Sequence, residues 1–284
     1  AIRPQNDADA QKTSDALQVA EAEDPSIQVE HNAALNEVVL LGLGELHLAT
    51  VLQQIEDRYS LDLVTSLPSI AYRETITAKA EGHHRHKKQT GGAGQFGEVY
   101  LRIEPLPQGG GFEFGSAVVG GSIPSQFIPA VENGVRQAMT EGAILGYPMQ
   151  DIKVTVYDGN HHNVDSKEIA FVQAGKKAFL DAVSKARPIV MEPIVDAEFS
   201  VPSDCVGGVT GDLSGMRGMI TGTDALPDNR ALVSGKVPLQ ELQGYHSRLK
   251  SLSGGDGSFT MDFSHYAEIP ANELKQIQAE AEEA

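Results

Sequence analysis

Apolar positions recur along the chain with helical or strand spacing in three successive stretches. In the first, Ile2 marks an opening strand, Asp7 to Glu23 reads as a helix of modest amphipathicity, and Ile27 and Val29 alternate as a short strand. Glu37 to Leu41 reads as a further strand. Gly42 and Gly44 punctuate the chain, and a helix is predicted from Glu45 to Tyr59. Its apolar residues Leu48, Val51, Leu52, Ile55 and Tyr59 share one buried face. Leu61 and Leu63 alternate as a last strand before Pro68. The order β-α-β-β-α-β is the split βαβ arrangement.

The last stretch repeats that order. Ile194 to Val201 alternates as a strand, and Pro202-Ser203-Asp204 opens a helix to about Leu213. Gly207, Gly208 and Gly211 weaken this helix, each costing ~1 kcal/mol relative to alanine. Strands follow around Gly218–Thr223 and Ala231–Pro238, separated by the turn residues Pro227-Asp228-Asn229. Leu239 to Ser251 reads as helical and Ser258 to Phe263 as the closing strand. Between the two repeats, strands are predicted near Gln95–Pro105, Phe112–Val119 and Asp151–Tyr157, with helices over Ser125–Glu141 and Ser166–Ala186. Phe127, Val131, Val135, Ala138 and Met139 line one face of the first of these helices. His83–Gly94 and Asp158–Asn163 have no apolar periodicity that would bury them and read as loops. The predicted class is therefore α+β in three domains.

Composition narrows the function. The chain has 284 residues, with 22 basic against 39 acidic side chains and a net charge of −17. That balance disfavours a general nucleic-acid coat or a binder of anionic membranes. Acidic residues crowd the first thirty positions and the tail beyond Glu268, and His83-His84-Arg85-His86-Lys87-Lys88 is the one concentrated cationic run. A single cysteine, Cys205, excludes an internal disulfide framework and fits a reducing compartment. No apolar run approaches the ~18 residues of a membrane span, and no signal peptide opens the chain. The expectation is a soluble, cytoplasmic, multidomain protein. Ala1 in place of an initiating Met suggests an excised fragment.

Candidate chemistry is sparse. Gly92-Ala93-Gly94-Gln95-Phe96-Gly97-Glu98-Val99 fits the glycine loop that covers nucleotide phosphates in kinases. No strand lysine, catalytic-loop aspartate or metal-binding aspartate accompanies it, so the glycines read as a loop between strands. No G-x-x-x-x-G-K-[ST] phosphate loop occurs. His83, His84 and His86 admit three readings: a solvated loop, a metal site completed by His161 and His162, or a polyanion contact. The neighbouring Arg85, Lys87 and Lys88 would repel a metal ion, whereas cations and imidazoles on a glycine-flexible loop can reach phosphates without demanding a sequence. Glu45 and His47 read as cap and surface residues, and Cys205 as a small residue among Val and Gly. Asp212 to Gly218 reads as a tight turn carrying the single exposed cation Arg217. No catalytic residue and no metal ligand is assigned.

Five collinear motifs resemble the C-terminal half of translation elongation factor G. Gly42-Leu43-Gly44-Glu45-Leu46-His47-Leu48 is similar to that family's G-M-G-E-L-H-L, and Ala71-Tyr72-Arg73-Glu74-Thr75-Ile76 to its A-Y-R-E-T-I. His86 to Gly97 resembles H-K-K-Q-[ST]-G-G-R-G-Q-[YF]-G, Asp158 to Ser166 resembles D-G-S-Y-H-x-V-D-S, and Gly257 to Phe263 resembles the closing G-[RT]-x-[ST]-[YF]-T-M-[ED]-F.

The resemblance implies domain III over 1–74, domain IV over 75–187 and domain V over 188–270, followed by an acidic tail, 271–284. It implies ferredoxin-like folds for the outer two domains and a ribosomal protein S5-like fold for the middle one. GTP and Mg would belong to a domain upstream, so this chain would hold no cofactor and would not itself be a GTPase. The implied role is tRNA–mRNA translocation or ribosome recycling. It would work as a monomer through a domain IV tip that contacts tRNA and mRNA at the decoding centre and ribosomal RNA. The carried-over contact residues are Lys87, Lys88, Gln89, Thr90, Gly91, Gly92, Ala93, Gly94 and Gln95, then His161, His162 and Asn163, with Arg217 in domain V. Two positions depart from the pattern. Ala93 stands where the family has arginine, and Met216 replaces the first arginine of its R-R-G turn, as in a divergent paralogue. A ribosomal-protection factor and a metal-dependent enzyme using the two histidine loops are the competing readings.

Overall fold

The computed structural model describes residues 1–32, 35, 37–89 and 94–283. They form two compact units, one made of Ala1–Ala71 with Pro193–Ser264 and the other of Tyr72–Glu192 with the chain from His265 onward. The fold is α+β, with two sheets of the ferredoxin-like type and an S5-like sheet in the middle segment.

The first segment runs β1 (Ile2–Pro4), α1 (Ala10–Glu23), β2 (Gln28–Asn32), β3 (Glu37–Leu41), α2 (Glu45–Tyr59) and β4 (Leu63–Thr65). The sheet order is β2-β3-β1-β4 with antiparallel neighbours. Leu17, Leu40, Val51, Ile55 and Leu61 close the core beneath the helices. Residues 7–9, expected as the start of α1, form a separate 3-10 turn because the Asn6 side chain accepts the Ala8 N–H and caps it there. His47 is a clasp rather than a surface residue. Its Nδ1 accepts the Leu43 N–H at 3.2 Å while its Nε2 meets Asp24 at 3.0 Å, so the start of α2 is tied to the end of α1. At the other end of α2, Arg58 donates to both carboxylate oxygens of Glu23.

The middle segment contains β5 (Arg73–Ile76), β6 (Ala80–Lys88), β7 (Gln95–Pro105), β8 (Phe112–Ser116), α3 (Ile128–Glu141), β9 (Ile152–Asn160) and α4 (Glu168–Lys185). The sheet order is β6-β7-β9-β8. Only β8 and β9 run parallel, joined by the α3 crossover. Both helices cover one face, burying Val99, Leu101, Ile103, Val131, Val135, Ile152, Val154, Val156, Phe171 and Phe179. Their backbones come close. A Cβ at Gly134 would collide with the Val172 carbonyl of α4, and one at Gly82 on β6 with the Ala178 carbonyl. Glu74 on β5 is fully buried and accepts the N–H groups of Ala143, Ile144, Leu145 and Tyr147, so one carboxylate organises the connection after α3.

Two expectations about this segment are corrected. His83 to Lys88, read as loop, belongs to edge strand β6, and Asp158 to Asn160 to the end of β9. An edge strand with polar residues on its outer face shows no apolar alternation to betray it, and charged side chains there protect the open edge. The helix predicted from Ser125 begins as a 3-10 turn over Ser125–Phe127.

The last segment has β10 (Pro188–Pro202), α5 (Val206–Gly215), β11 (Met219–Leu226), β12 (Arg230–Pro238), α6 (Tyr245–Leu252) and β13 (Ser258–Glu268), then α7 (Ala271–Glu283). The order β11-β12-β10-β13 repeats that of the first sheet. Val195, Ala197, Phe199, Val201, Val209, Leu213 and Leu249 form its core, with Phe259 stacked on Phe199 at 5.4 Å. The helix predicted over Leu239–Ser251 is divided. A 3-10 turn over Leu239–Leu242 is separated from α6 by Gly244 at φ 74°. The expected acidic tail is largely helix α7, which buries Ile277. Among the described residues no helix is long and apolar enough to cross a membrane.

Candidate functional site

Sheet topology decides which loops can meet. Because β7 runs antiparallel to both β6 and β9, the hairpin turn after Lys88 and the exit of β9 open at the same end. The register Lys88↔Gln95 closes the hairpin, and Glu98↔Asn160 marks where β9 ends beside it. The two segments assigned to the tip are thereby brought together. Thr90, Gly91, Gly92 and Ala93 lie outside the described residues.

Direct bonds join the loops. The Phe96 N–H donates to the Asp165 carbonyl at 2.9 Å, and the Ser166 hydroxyl donates back to the Phe96 carbonyl at 2.9 Å. The same hydroxyl accepts the His162 N–H at 2.8 Å. Gly94 lies against Asp165, where an added Cβ would stand 2.7 Å from the carboxylate carbon. A side chain at 94 would have to displace the Asp165 carboxylate, and Gly97 lets β7 lie against the Ala170 backbone. Gly94 and Gly97 thus both lie in close packing contacts.

The histidines divide by role. His162 Nδ1 accepts the N–H groups of Val164 at 3.3 Å and Asp165 at 3.2 Å, which puts its proton on Nε2. Its 3.5 Å approach to the Asp165 carboxylate is then proximity between two acceptors, not an ion pair. His161 Nδ1 lies 3.1 Å from the Ser122 carbonyl, so it donates there and is tied to the 117–124 connection. Asn163 is exposed.

The cationic run is only partly available. On β6 successive side chains alternate between faces, so His83 and Arg85 share one face while His84 and His86 share the other. His83 Nε2 and Arg85 both hold the buried Glu98 carboxylate, at 2.8 and 2.9 Å, and His83 stacks on Tyr100 at 4.1 Å. Burial pushes the Glu98 carboxyl up, but the hydrogen bonds from Arg85 and His83 outweigh it and hold the group below its ordinary range. Burial, then the Lys177 charge, lowers His84. His86 bonds the Gln95 side chain at 3.0 Å. Lys87, Lys88 and Gln89 are exposed, and neither lysine has an ion pair among the described residues. No cluster of three or more potential metal ligands converges among those residues, and the alternation along β6 keeps its three histidines from facing one ion.

Arg217 lies in the other compact unit, at φ 56° after α5. Its Nε donates to Glu241 at 2.9 Å and its side chain is 24% exposed, so the turn presents a paired, half-buried cation rather than a bare one. The strand predicted over Phe112–Val119 ends at Ser116, and the residues after it form a connection. The parallel pairing of β8 with β9 carries the 117–124 connection to the same end as the two tip loops. Val118 and Val119 continue the apolar run of the strand in the sequence, and only Gly120-Gly121 marks the connection.

Residues 1–66 match the family model of elongation factor G domain III, residues 68–187 that of domain IV, and residues 189–277 that of the elongation factor G C-terminus. A crystal structure of a protein from Thermus thermophilus is similar over all of this chain, with a TM-score of 0.85 and 38% sequence identity. The chain spans 42% of the length of that relative.

Proposed function

The chain belongs to the elongation factor G family and carries its domains III, IV and V, and from that premise we propose that the middle domain inserts its tip beside the paired tRNA and mRNA as they move, in translocation or in recycling. The observation that carries this reading is the convergence of the β6/β7 hairpin end with the β9 exit at one end of the sheet, with Lys87, Lys88, Gln89, His162 and Asn163 exposed there. The role is positional. A tip that must serve every codon needs contacts to backbone and helix shape, not to particular bases. Lys87 and Lys88 supply attraction to phosphate, while a net charge of −17 keeps the rest of the chain from adhering to RNA indiscriminately. Gln95, held by His86, and Gly94, held against Asp165, brace the hairpin. Arg217 would assist from the other unit toward the large subunit, its charge moderated by Glu241. GTP and Mg would be held by a domain outside this chain, which contributes no catalytic group. The protein would act as a monomer in the cytoplasm.

The test is salt dependence in the full-length protein. Replacing Lys87 and Lys88 by alanine should remove about two phosphate contacts and flatten the log–log salt slope of ribosome binding by about 1.5 to 2. Translocation should therefore lose most at low salt and converge with the parent protein at high salt. An equal deficit at every salt concentration would remove the electrostatic role.

A further inference from the structure

We infer that Ser166 is a positioning residue of the tip, a side chain that locks the β9 exit and the β6/β7 hairpin into one rigid piece; this rests on the tip reading above and assigns a residue that need touch no RNA itself. A hydroxyl carries one donor and two acceptor sites. Ser166 donates to the Phe96 carbonyl at 2.9 Å and accepts the His162 N–H at 2.8 Å. The first bond reaches the hairpin and the second the loop, so both pass through a single oxygen.

On the loop side the backbone closes on itself. The Ser166 N–H donates to the His162 carbonyl at 3.1 Å, which ties residues 162 and 166 together twice. Inside that ring the His162 Nδ1 accepts the N–H groups of Val164 and Asp165. The N–H groups of His162, Val164, Asp165 and Ser166 thus all find acceptors within five residues, and the imidazole is held in one orientation. On the hairpin side the link runs both ways. Phe96 donates its N–H to the Asp165 carbonyl at 2.9 Å and accepts the Ser166 hydroxyl on its own carbonyl. The former is a backbone pair open to most sequences, whereas the latter exists only while position 166 carries a hydroxyl. Beside these bonds the Phe96 ring meets the His162 ring edge-on at 6.4 Å. Gly97, the next residue, lies against the Ala170 backbone at the start of α4, which fixes Phe96 in turn.

Alanine at 166 would do two things at once. It would release the His162 N–H from the ring and leave Phe96 joined to the loop by a single bond. The exposed lysines that draw the tip to phosphate keep their charge and their place on β6. Binding should therefore persist while the two loops lose their fixed spacing. Preorganised groups lose rate steeply when displaced by about 1 Å.

Translocation kinetics in the full-length protein test this. Ser166→Ala should slow tRNA–mRNA movement at saturating factor about tenfold and leave the half-saturating factor concentration as in the parent. Ser166→Thr, which keeps the hydroxyl, should recover most of the rate. In a cycle with His162→Ala, the double variant should be no slower than the slower single one, because both changes open the same ring. A parental rate in Ser166→Ala beside a slowed Lys87→Ala, Lys88→Ala protein would overturn the positioning role and leave the tip reading standing. Parental rates in both would overturn both. A raised half-saturating concentration at an unchanged rate would make Ser166 a contact residue instead. Deficits that multiply in the double variant, or Ser166→Thr as slow as Ser166→Ala, count against the hydroxyl link. Hydrogen exchange checks the unaltered protein directly: the His162 and Phe96 amides should exchange at least about tenfold more slowly than in an unstructured peptide. Unprotected amides at both positions would mean that the lock is not made in solution.

Discussion

Glu74 bears more structural duty than any residue at the tip. Its carboxylate accepts four backbone N–H groups of the connection that follows α3, with no solvent contact. An amide in its place offers one acceptor oxygen and turns an NH2 group toward donors. Glu74→Gln should therefore destabilise the protein by about 3 kcal/mol, read as a lowered denaturation midpoint, while Lys87 and Lys88 stay as exposed as before. A midpoint unchanged within error would mean that the loop holds itself together without the carboxylate. Position 74 was visible in the sequence only as part of a motif, because a glutamate that will be buried looks like one that will not. The same holds for Glu98, whose pairing with His83 and Arg85 depends on β6 being a strand.

At the scale of elements, the parts legible in sequence were those whose apolar spacing matched their geometry. Helix α2 and strand β3 lie where the pattern puts them, since Val51 and Ile55 fill one face of the helix and Leu40 the inner face of the strand. Strand β6 was hidden because its inward positions are Gly82, His84 and His86, small or polar residues under a helix that comes too close for anything larger at 82. Helix α7 was obscured by its glutamates, although Ile277 anchors it. The α1–α2 clasp gives a pH test at this scale. Hydrogen bonds from the Ser26 side chain and backbone, then from His47, hold the Asp24 carboxyl down to about 2. A depressed carboxyl contributes stability above its ordinary range and loses it as pH falls through the folded value, here about 2. Asp24→Asn should move the acid-unfolding midpoint upward and leave neutral-pH folding in place. An unmoved midpoint would show that the clasp carries none of the acid resistance.

At the scale of the whole molecule, the matched segments are domains III, IV and the C-terminus of an elongation factor. The purified 284-residue chain should accordingly hydrolyse no GTP above background, with or without ribosomes, in a phosphate-release assay. Turnover that survives repurification would mean that a nucleotide site has been overlooked. The helix contacts described earlier have a mechanical consequence for the middle domain. At Gly82 strand β6 meets α4, and at Gly134 helix α3 meets α4, backbone against backbone, so at these two points no rotatable side chain separates the elements. Sliding of β6 or α3 along α4 therefore has no side-chain rotamer to absorb it at those two points, and strain there passes directly from one backbone to the other.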